Sequence, residues 1–169
     1  MLLKKLIFET SNSLKFDIIN IENSDEDSYE ITFGDNEIID SSEVFEQLVD
    51  LFNIAKIRIM SNEKPFEVAM SDDGTVLGGS VISRDIPNDE EYDEGIQGII
   101  TFSIVTNELF RGAGVASKLI QSIIKQYKRH GVTIRAQVVN PIMEKLLIKF
   151  GFEKIHDSGS KYGLIYELR

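Results

Sequence analysis

The sequence predicts a mixed α/β domain, α+β in arrangement, built around one sheet flanked by helices. Three observations lead there. Apolar residues run or alternate at strand length in several segments. They recur at three- and four-residue spacing in three others, as one face of a helix does. In the second half the two patterns follow one another as strand, helix, strand, helix, strand, strand. A chain of 169 residues is one ordinary domain, 1–169, and is long enough to bury a single core unaided.

Lys5–Glu9 and Leu14–Ile21 are strand candidates joined by the turn residues Ser11, Asn12 and Ser13, and Tyr29–Phe33 is a third, ended by Gly34, Asp35 and Asn36. From Ser41 the period changes, with Val44, Phe45, Leu48, Leu51, Phe52 and Ala55 on one helix face and Ser42 as N-cap. Phe66–Ser71 and Val76–Ser83 flank Asp72-Asp73-Gly74, a strong hairpin signal. Ile96–Val105 reads as a buried strand. Val115, Leu119, Ile120, Ile123, Ile124 and Tyr127 mark an amphipathic helix that ends in cations and Gly131. Val132–Val139 is a strand. Asn140-Pro141 opens a further helix with Met143, Leu146, Leu147 and Phe150 on its apolar stripe, stopped by Gly151. Phe152–His156 and Tyr162–Leu168 close the chain as strands.

Composition removes several function classes. There are no cysteines, so disulfides, thiolate metal sites and thiol nucleophiles are out, and only His130 and His156 could serve as imidazoles. No resident metal is expected. No apolar run approaches a membrane span, and MLLKKLIFET has no signal-peptide core, so the expectation is a cytoplasmic protein without membrane contact. The net charge of −10 argues against a nucleic-acid partner. That value is unevenly spread: residues 1–95 hold 7 basic and 23 acidic side chains, for −16, while residues 96–169 hold 11 and 5, for +6. Solvated surface explains each charge run by itself, but the split also fits a cation met by the first half and an anion by the second.

The chemistry concentrates in Thr106–Ser117. A buried strand ends, a short loop follows, and a helix opens on Gly112-Ala113-Gly114. The first turn of a helix presents unpaired N–H groups at its positive end, and glycines let a bulky anion approach the backbone, an arrangement suited to a pyrophosphate. A dinucleotide fingerprint does not fit, because position 117 is Ser and the next strand, carrying Arg135, ends in Asn140 and not an acid. A P-loop does not fit either, since no Gly-Lys-Ser/Thr follows.

The segment Arg111-Gly112-Ala113-Gly114-Val115-Ala116 resembles the Arg/Gln-x-x-Gly-x-Gly/Ala pyrophosphate motif of the GNAT superfamily of N-acetyltransferases. The hairpin Phe66–Ser83 looks like that family's second and third strands, Ile96–Val105 its fourth and Val132–Asn140 its fifth. Lys149-Phe150-Gly151-Phe152 looks like its lysine-apolar-Gly-Phe signature. The resemblance covers residues 64–169, the acetyl-CoA-binding core, and leaves 1–63 as a variant, β-rich N-terminal half. It implies a mostly antiparallel central sheet and transfer of an acetyl group from acetyl-CoA to a primary amine. It also implies cofactor contacts from Ser103, Ile104 and Val105 along the pantetheine arm, from Arg111, Gly112, Ala113, Gly114, Val115, Ala116 and Ser117 at the pyrophosphate, and from Asn140. Lys118 and Lys149 are further phosphate candidates.

By the same resemblance a backbone N–H near Val105 holds the oxyanion, and a carboxylate among Glu91, Asp93 and Glu94 takes the amine proton. One departure stands out. Many family members carry Tyr seven residues after the Asn, as the acid that protonates the leaving thiolate, and that position is Leu147. Tyr162, Tyr166, a serine or water remain as donors. The charge split points to a cationic acceptor, a small molecule or a protein. A second class stays open, a non-catalytic acyl-CoA-binding or interaction module, and so does a homodimer.

Overall fold

A computed structural model describes residues 14–21, 30–33, 37–59, 61–85, 98–138, 141–155 and 164–168. The strands are β1 (Phe16–Asn20), β2 (Glu30–Phe33), β3 (Glu37–Asp40), β4 (Lys64–Ser71), β5 (Val76–Asp85), β6 (Ile99–Thr106), β7 (Thr133–Val138), β8 (Glu153–Ile155) and β9 (Leu164–Leu168). The helices are α1 (Ser41–Ile54), α2 (Val115–Tyr127) and α3 (Pro141–Lys149). Hydrogen bonds order seven strands as β1-β4-β5-β6-β7-β9-β8 and pair β2 with β3 separately. The pairs β1–β4, β7–β9 and β8–β9 are antiparallel and β6–β7 is parallel. The fold is therefore the expected mixed, mostly antiparallel sheet flanked by three helices among the described residues.

The chain divides into two compact units. The first holds β1, α1, β4, β5 as far as Ser80, β6 from Ile104, and α2 as far as Ile120. Its helix α1 forms because Val44, Leu48 and Phe52 recur every fourth residue, and all three are fully buried. Phe45 and Ala55, expected on the same face, are exposed: Phe45 is one residue out of phase with the buried stripe, and Ala55 lies beyond the last turn. Ser42 is not the N-cap either, since the helix already begins at Ser41. The end of α1 carries no glycine. Lys56 takes the left-handed conformation at φ 56. Its N–H bonds the carbonyl of Asn53 and the N–H of Ile57 bonds that of Phe52, both at 3.0 Å, which makes a Schellman closure. β3 was not expected: Gly34-Asp35-Asn36 lies between β2 and β3, which pair through Ile31↔Ile39. The residues 34–36 themselves, and the predicted strand Lys5–Glu9, lie outside the described residues.

In the second unit β6 and β7 pair from Ile99↔Thr133 to Phe102↔Ala136, and β9 continues the sheet beside β7. The rings of Phe102 and Phe152 meet edge to face at 6.0 Å and 79°. Arg135 stands directly opposite Glu167, and its Nε donates to the carboxylate at 3.0 Å. Glu167 is buried, so this is a compensated charge and not a surface pair. α2 closes on a turn at Lys128–His130 and on Gly131 at φ 66, as the sequence indicates. The helix is thus ended by a residue that tolerates the left-handed region.

The β4–β5 turn is held by Asp73. Its carboxylate accepts from the Ser71 hydroxyl and from the Thr75 N–H, the latter at 3.1 Å. The hydrogen bond from Ser71, followed by those from Thr75, holds the carboxyl below its ordinary value of 3.8. A depressed folded value means the contribution to stability is complete above the unfolded value and disappears as pH falls through the folded one. Asp73→Ala is therefore expected to lower the denaturation midpoint at neutral pH. The difference from the parent chain should close progressively below pH 3.8, read by urea unfolding across an acid series.

Candidate functional site

The strand-to-helix passage lies within the first unit. Ile104 and Val105, at the end of β6, are buried. The N–H of Asn107 bonds the carbonyl of Leu77 at 2.8 Å, which ties the loop to β5. The Asn107 side chain accepts from the Leu109 N–H at 3.0 Å and caps a one-turn 3-10 segment over Glu108–Phe110. Arg111 is extended at φ −60 and ψ 135, and its Nη2 donates to Glu108 Oε1 at 2.9 Å, both side chains being largely exposed. Gly112 and Gly114 then take φ 88 and φ 83. A Cβ at either would meet nothing within 4 Å, so torsion and not crowding demands glycine, and open space lies over the turn.

The first helical hydrogen bond of α2 runs from the Lys118 N–H to the Gly114 carbonyl at 3.0 Å. The N–H groups of Val115, Ala116 and Ser117 precede it and have no intrahelical acceptor. No acidic residue occupies the first turn. The positive end of the helix is thus left without a competing carboxylate, beneath the open space over the glycines. Chemically this cradle suits a phosphate or pyrophosphate.

Gly78 positions the cradle, and sequence reasoning missed it. A Cβ there would lie 2.5 Å from the Val105 carbonyl oxygen, 3.0 Å from Val115 Cγ1 and 3.1 Å from Thr106 Cα. The end of β6 and the head of α2 both close on this one position. Two consecutive glycines inside a strand pattern were the available signal, because glycine there marks close backbone approach.

Other predicted residues fall as follows. Ser103, on β6 in the second unit, is buried, and its hydroxyl has no partner among the described residues. Val115 is 1% exposed, so only its backbone can serve a ligand, while Ala113, Ala116 and Ser117 are half-buried. The Lys118 ammonium sits 4.1 Å from the centre of the Phe16 ring. Lys149 is exposed at the end of α3. Asn140, Glu91, Asp93, Glu94 and Tyr162 lie outside the described residues.

Leu147 is fully buried. Tyr166, also buried, donates its hydroxyl to the Glu144 carboxylate, and burial, reinforced by Glu144, pushes its pKa up to about 12. It stays protonated at neutral pH. Among the described residues no group of three or more metal-ligating side chains could hold a metal ion, and no helix is long and apolar enough to cross a membrane. Gly78→Ala is expected to cost about 1–3 kcal/mol, because the new methyl must displace backbone and not a flexible side chain; chemical denaturation measures this directly.

A profile of the acetyltransferase (GNAT) family matches residues 21–152. No curated protein matches the chain. Among solved structures, a protein of Pyrococcus horikoshii OT3 is 20% identical with a TM-score of 0.56, over 92% of this chain and 98% of that one. A GCN5-related N-acetyltransferase from Kribbella flavida is 19% identical with a TM-score of 0.50, over 90% and 96%. At such identities these likenesses speak for the fold. The family profile covers most of the chain and includes the strand, glycine turn and helix described above. The chain belongs to the acetyltransferase (GNAT) family and is an acyltransferase.

Proposed function

We propose that the protein transfers an acetyl group from acetyl-CoA to a primary amine of a cationic acceptor, a small molecule or a protein. The observation that carries this is the open glycine turn: Gly112 and Gly114 present backbone to free space at the head of α2. The N–H groups between Gly112 and Ser117 would hold the pyrophosphate. The backbone of Ser103–Val105, beyond the last β6–β7 register pair at Phe102↔Ala136, would run beside the pantetheine arm. Acetyl-CoA supplies an activated acyl thioester.

The remaining tasks belong to the chain. A backbone N–H near Val105 would hold the negative charge that develops on the thioester oxygen, a rigid donor that needs no reorganisation. An alkylamine has a pKa near about 10.4, so a carboxylate must remove its proton, through water, for the nitrogen to attack. Glu91, Asp93 and Glu94 are the proposed bases. Once the first proton has been relayed to solvent, the neutral nitrogen attacks; as the C–N bond forms and the C–S bond breaks, the second amine proton passes to that carboxylate, and the departing thiolate collects a proton from water. The excess of 23 acidic over 7 basic side chains in residues 1–95 supports a positively charged acceptor.

Incubation with acetyl-CoA and a panel of amines is expected to release CoA thiol in an acceptor-dependent way. Gly114→Trp, which fills the cradle, should abolish release while the circular dichroism spectrum is kept. Absence of acceptor-dependent release with every amine class would remove catalysis from the reading. The acceptor KM is also expected to rise severalfold between about 0.05 and 0.5 M salt as the attraction is screened. A KM independent of salt would return the acidity to surface solvation.

A further inference from the structure

We infer that the second unit carries a carboxylate-binding site on its sheet, with the Arg135 guanidinium as the binding group, and that the acceptor is an amino acid or short peptide with a free carboxylate. For the acceptor's amine, which brings the positive charge, this rests on the acetyl-transfer reading. The carboxylate is the new element.

Strand register puts four side chains in one row across the sheet: Thr101 on β6, Arg135 on β7, Glu167 on β9 and Glu153 on β8. Residues directly opposite one another on neighbouring strands share a face. Alternation along β6 adds Ser103 to that face, and along β7 it adds Gln137. The other face of the same strands is closed: Ile100, Phe102, Ile134, Ala136 and Tyr166 are buried, and the bond from Tyr166 to Glu144 brings α3 onto it. On the face of the row, Thr101, Arg135 and Gln137 are only half-buried, so a small molecule can reach them.

Two observations point to a ligand there. The first is the state of Arg135. A guanidinium presents its N–H donors in a rigid fork. Glu167 accepts from Nε at 3.0 Å, and Arg135 makes no further hydrogen bond or ion pair among the described residues. Both terminal nitrogens are therefore unspent, on a side chain only 35% exposed. The second is Ser103, in the same unit and 3% exposed, whose hydroxyl has no partner among the described residues. It lies two residues along β6 from Thr101, roughly 7 Å. A buried hydroxyl without a partner is costly, and a polar molecule lying over the row would supply one.

The charges of the row select the ligand. A guanidinium fork matches a carboxylate in shape and charge. Glu167 fixes the plane of that fork, so little order remains to be lost on binding. The row also holds two carboxylates, Glu167 and the exposed Glu153 on the edge strand. A phosphate dianion would be repelled by both. An amino acid or peptide brings one carboxylate for the fork and an ammonium that offsets its charge.

Calorimetry of a panel of amino acids and dipeptides against their C-terminal amides tests this without turnover. At least one carboxylate form should bind about tenfold tighter than its amide. Arg135→Gln with Glu167→Gln removes the pair together and leaves no buried charge uncompensated. That variant should bind the two forms alike, with CoA affinity as in the parent. Arg135→Lys keeps the charge without the fork and should retain only part of the preference. In the transfer assay the double variant should raise the KM of the carboxylate acceptor by a similar factor, with kcat kept and the KM of the amide unmoved. A panel in which no carboxylate is preferred, a preference that survives in the double variant, or a fall in CoA affinity in its place would each overturn the inference. Thiol release absent with every amine would instead count against acetyl transfer, and the binding comparison would still decide the carboxylate site.

Discussion

Two adjacent residues without side chains, Gly78 and Gly79 on β5, set the architecture of the first unit. Consecutive strand residues point to opposite faces, so this pair leaves both faces of one strand bare at the same height. On one face a Cβ at Gly78 would strike the Val105 carbonyl oxygen at 2.5 Å. On the other a Cβ at Gly79 would strike Leu48 Cδ1 at 2.5 Å and the Glu67 carbonyl oxygen at 2.7 Å. α1 therefore lies directly on the sheet on one side, through Leu48, and the head of α2 lies on it on the other, through Val115. A side chain at either position would have to displace neighbouring strand backbone, at Val105 for one and at Glu67 for the other, within a densely packed core.

That constraint also explains how an exposed glycine turn can be held in a defined place. The turn makes few strong contacts of its own. The Arg111–Glu108 pair is solvated on both sides and contributes little. Both glycines lie in a region of backbone space that restrains them weakly. Order is supplied from the two ends: Asn107 is fastened to the Leu77 carbonyl, and Val115 is buried against Gly78. The N–H groups at the head of α2 are thus pre-set by backbone packing. A ligand binding there would need to order little more than the side chains of Arg111 and Lys118, and Lys118 is already engaged over the Phe16 ring.

Much of this was legible in the sequence, for identifiable reasons. α2 was found nearly to the residue because its periodicity is long and its terminator, Gly131, is explicit. The β4–β5 hairpin was found from Asp73-Gly74. β3 carries no strand signal because its four residues, Glu37–Asp40, place two isoleucines side by side and so do not alternate, and they run straight into α1. The sequence carries no explicit end signal for α1, because a lysine, Lys56, fills a position where glycine is the usual one. Of the candidate site, the turn Arg111–Ser117 was legible as a motif. The role of Gly78 was not, because its neighbours Val105 and Val115 are distant in sequence and become neighbours only through strand pairing. The proposed acceptor side was the least legible, since the acidic residues Glu91, Asp93 and Glu94 carry no periodicity that separates a base from ordinary surface.

The buried Leu147 bears on the chemistry in a way that the two pKa values of the reaction make plain. A thiol is a markedly stronger acid than an alkylammonium, by about two units on the reference scale. At neutral pH the amine must lose a proton before or during attack, whereas the thiolate can depart unprotonated and collect its proton from solvent. A reaction of this class can therefore lose its dedicated acid at modest cost but not its base. Leu147 fits that asymmetry: a fully buried apolar side chain stands at the position where the family resemblance leads one to expect a phenol. The phenol beside α3, Tyr166, is bound to Glu144 and is held protonated well above its ordinary range, so releasing its proton would leave two negative charges side by side. Its first role is thus to satisfy a half-buried carboxylate at the start of α3. The burden of catalysis in the proposed reaction then falls on a backbone N–H near Val105 and on a carboxylate that takes the amine proton, and the departing sulfur is left to water.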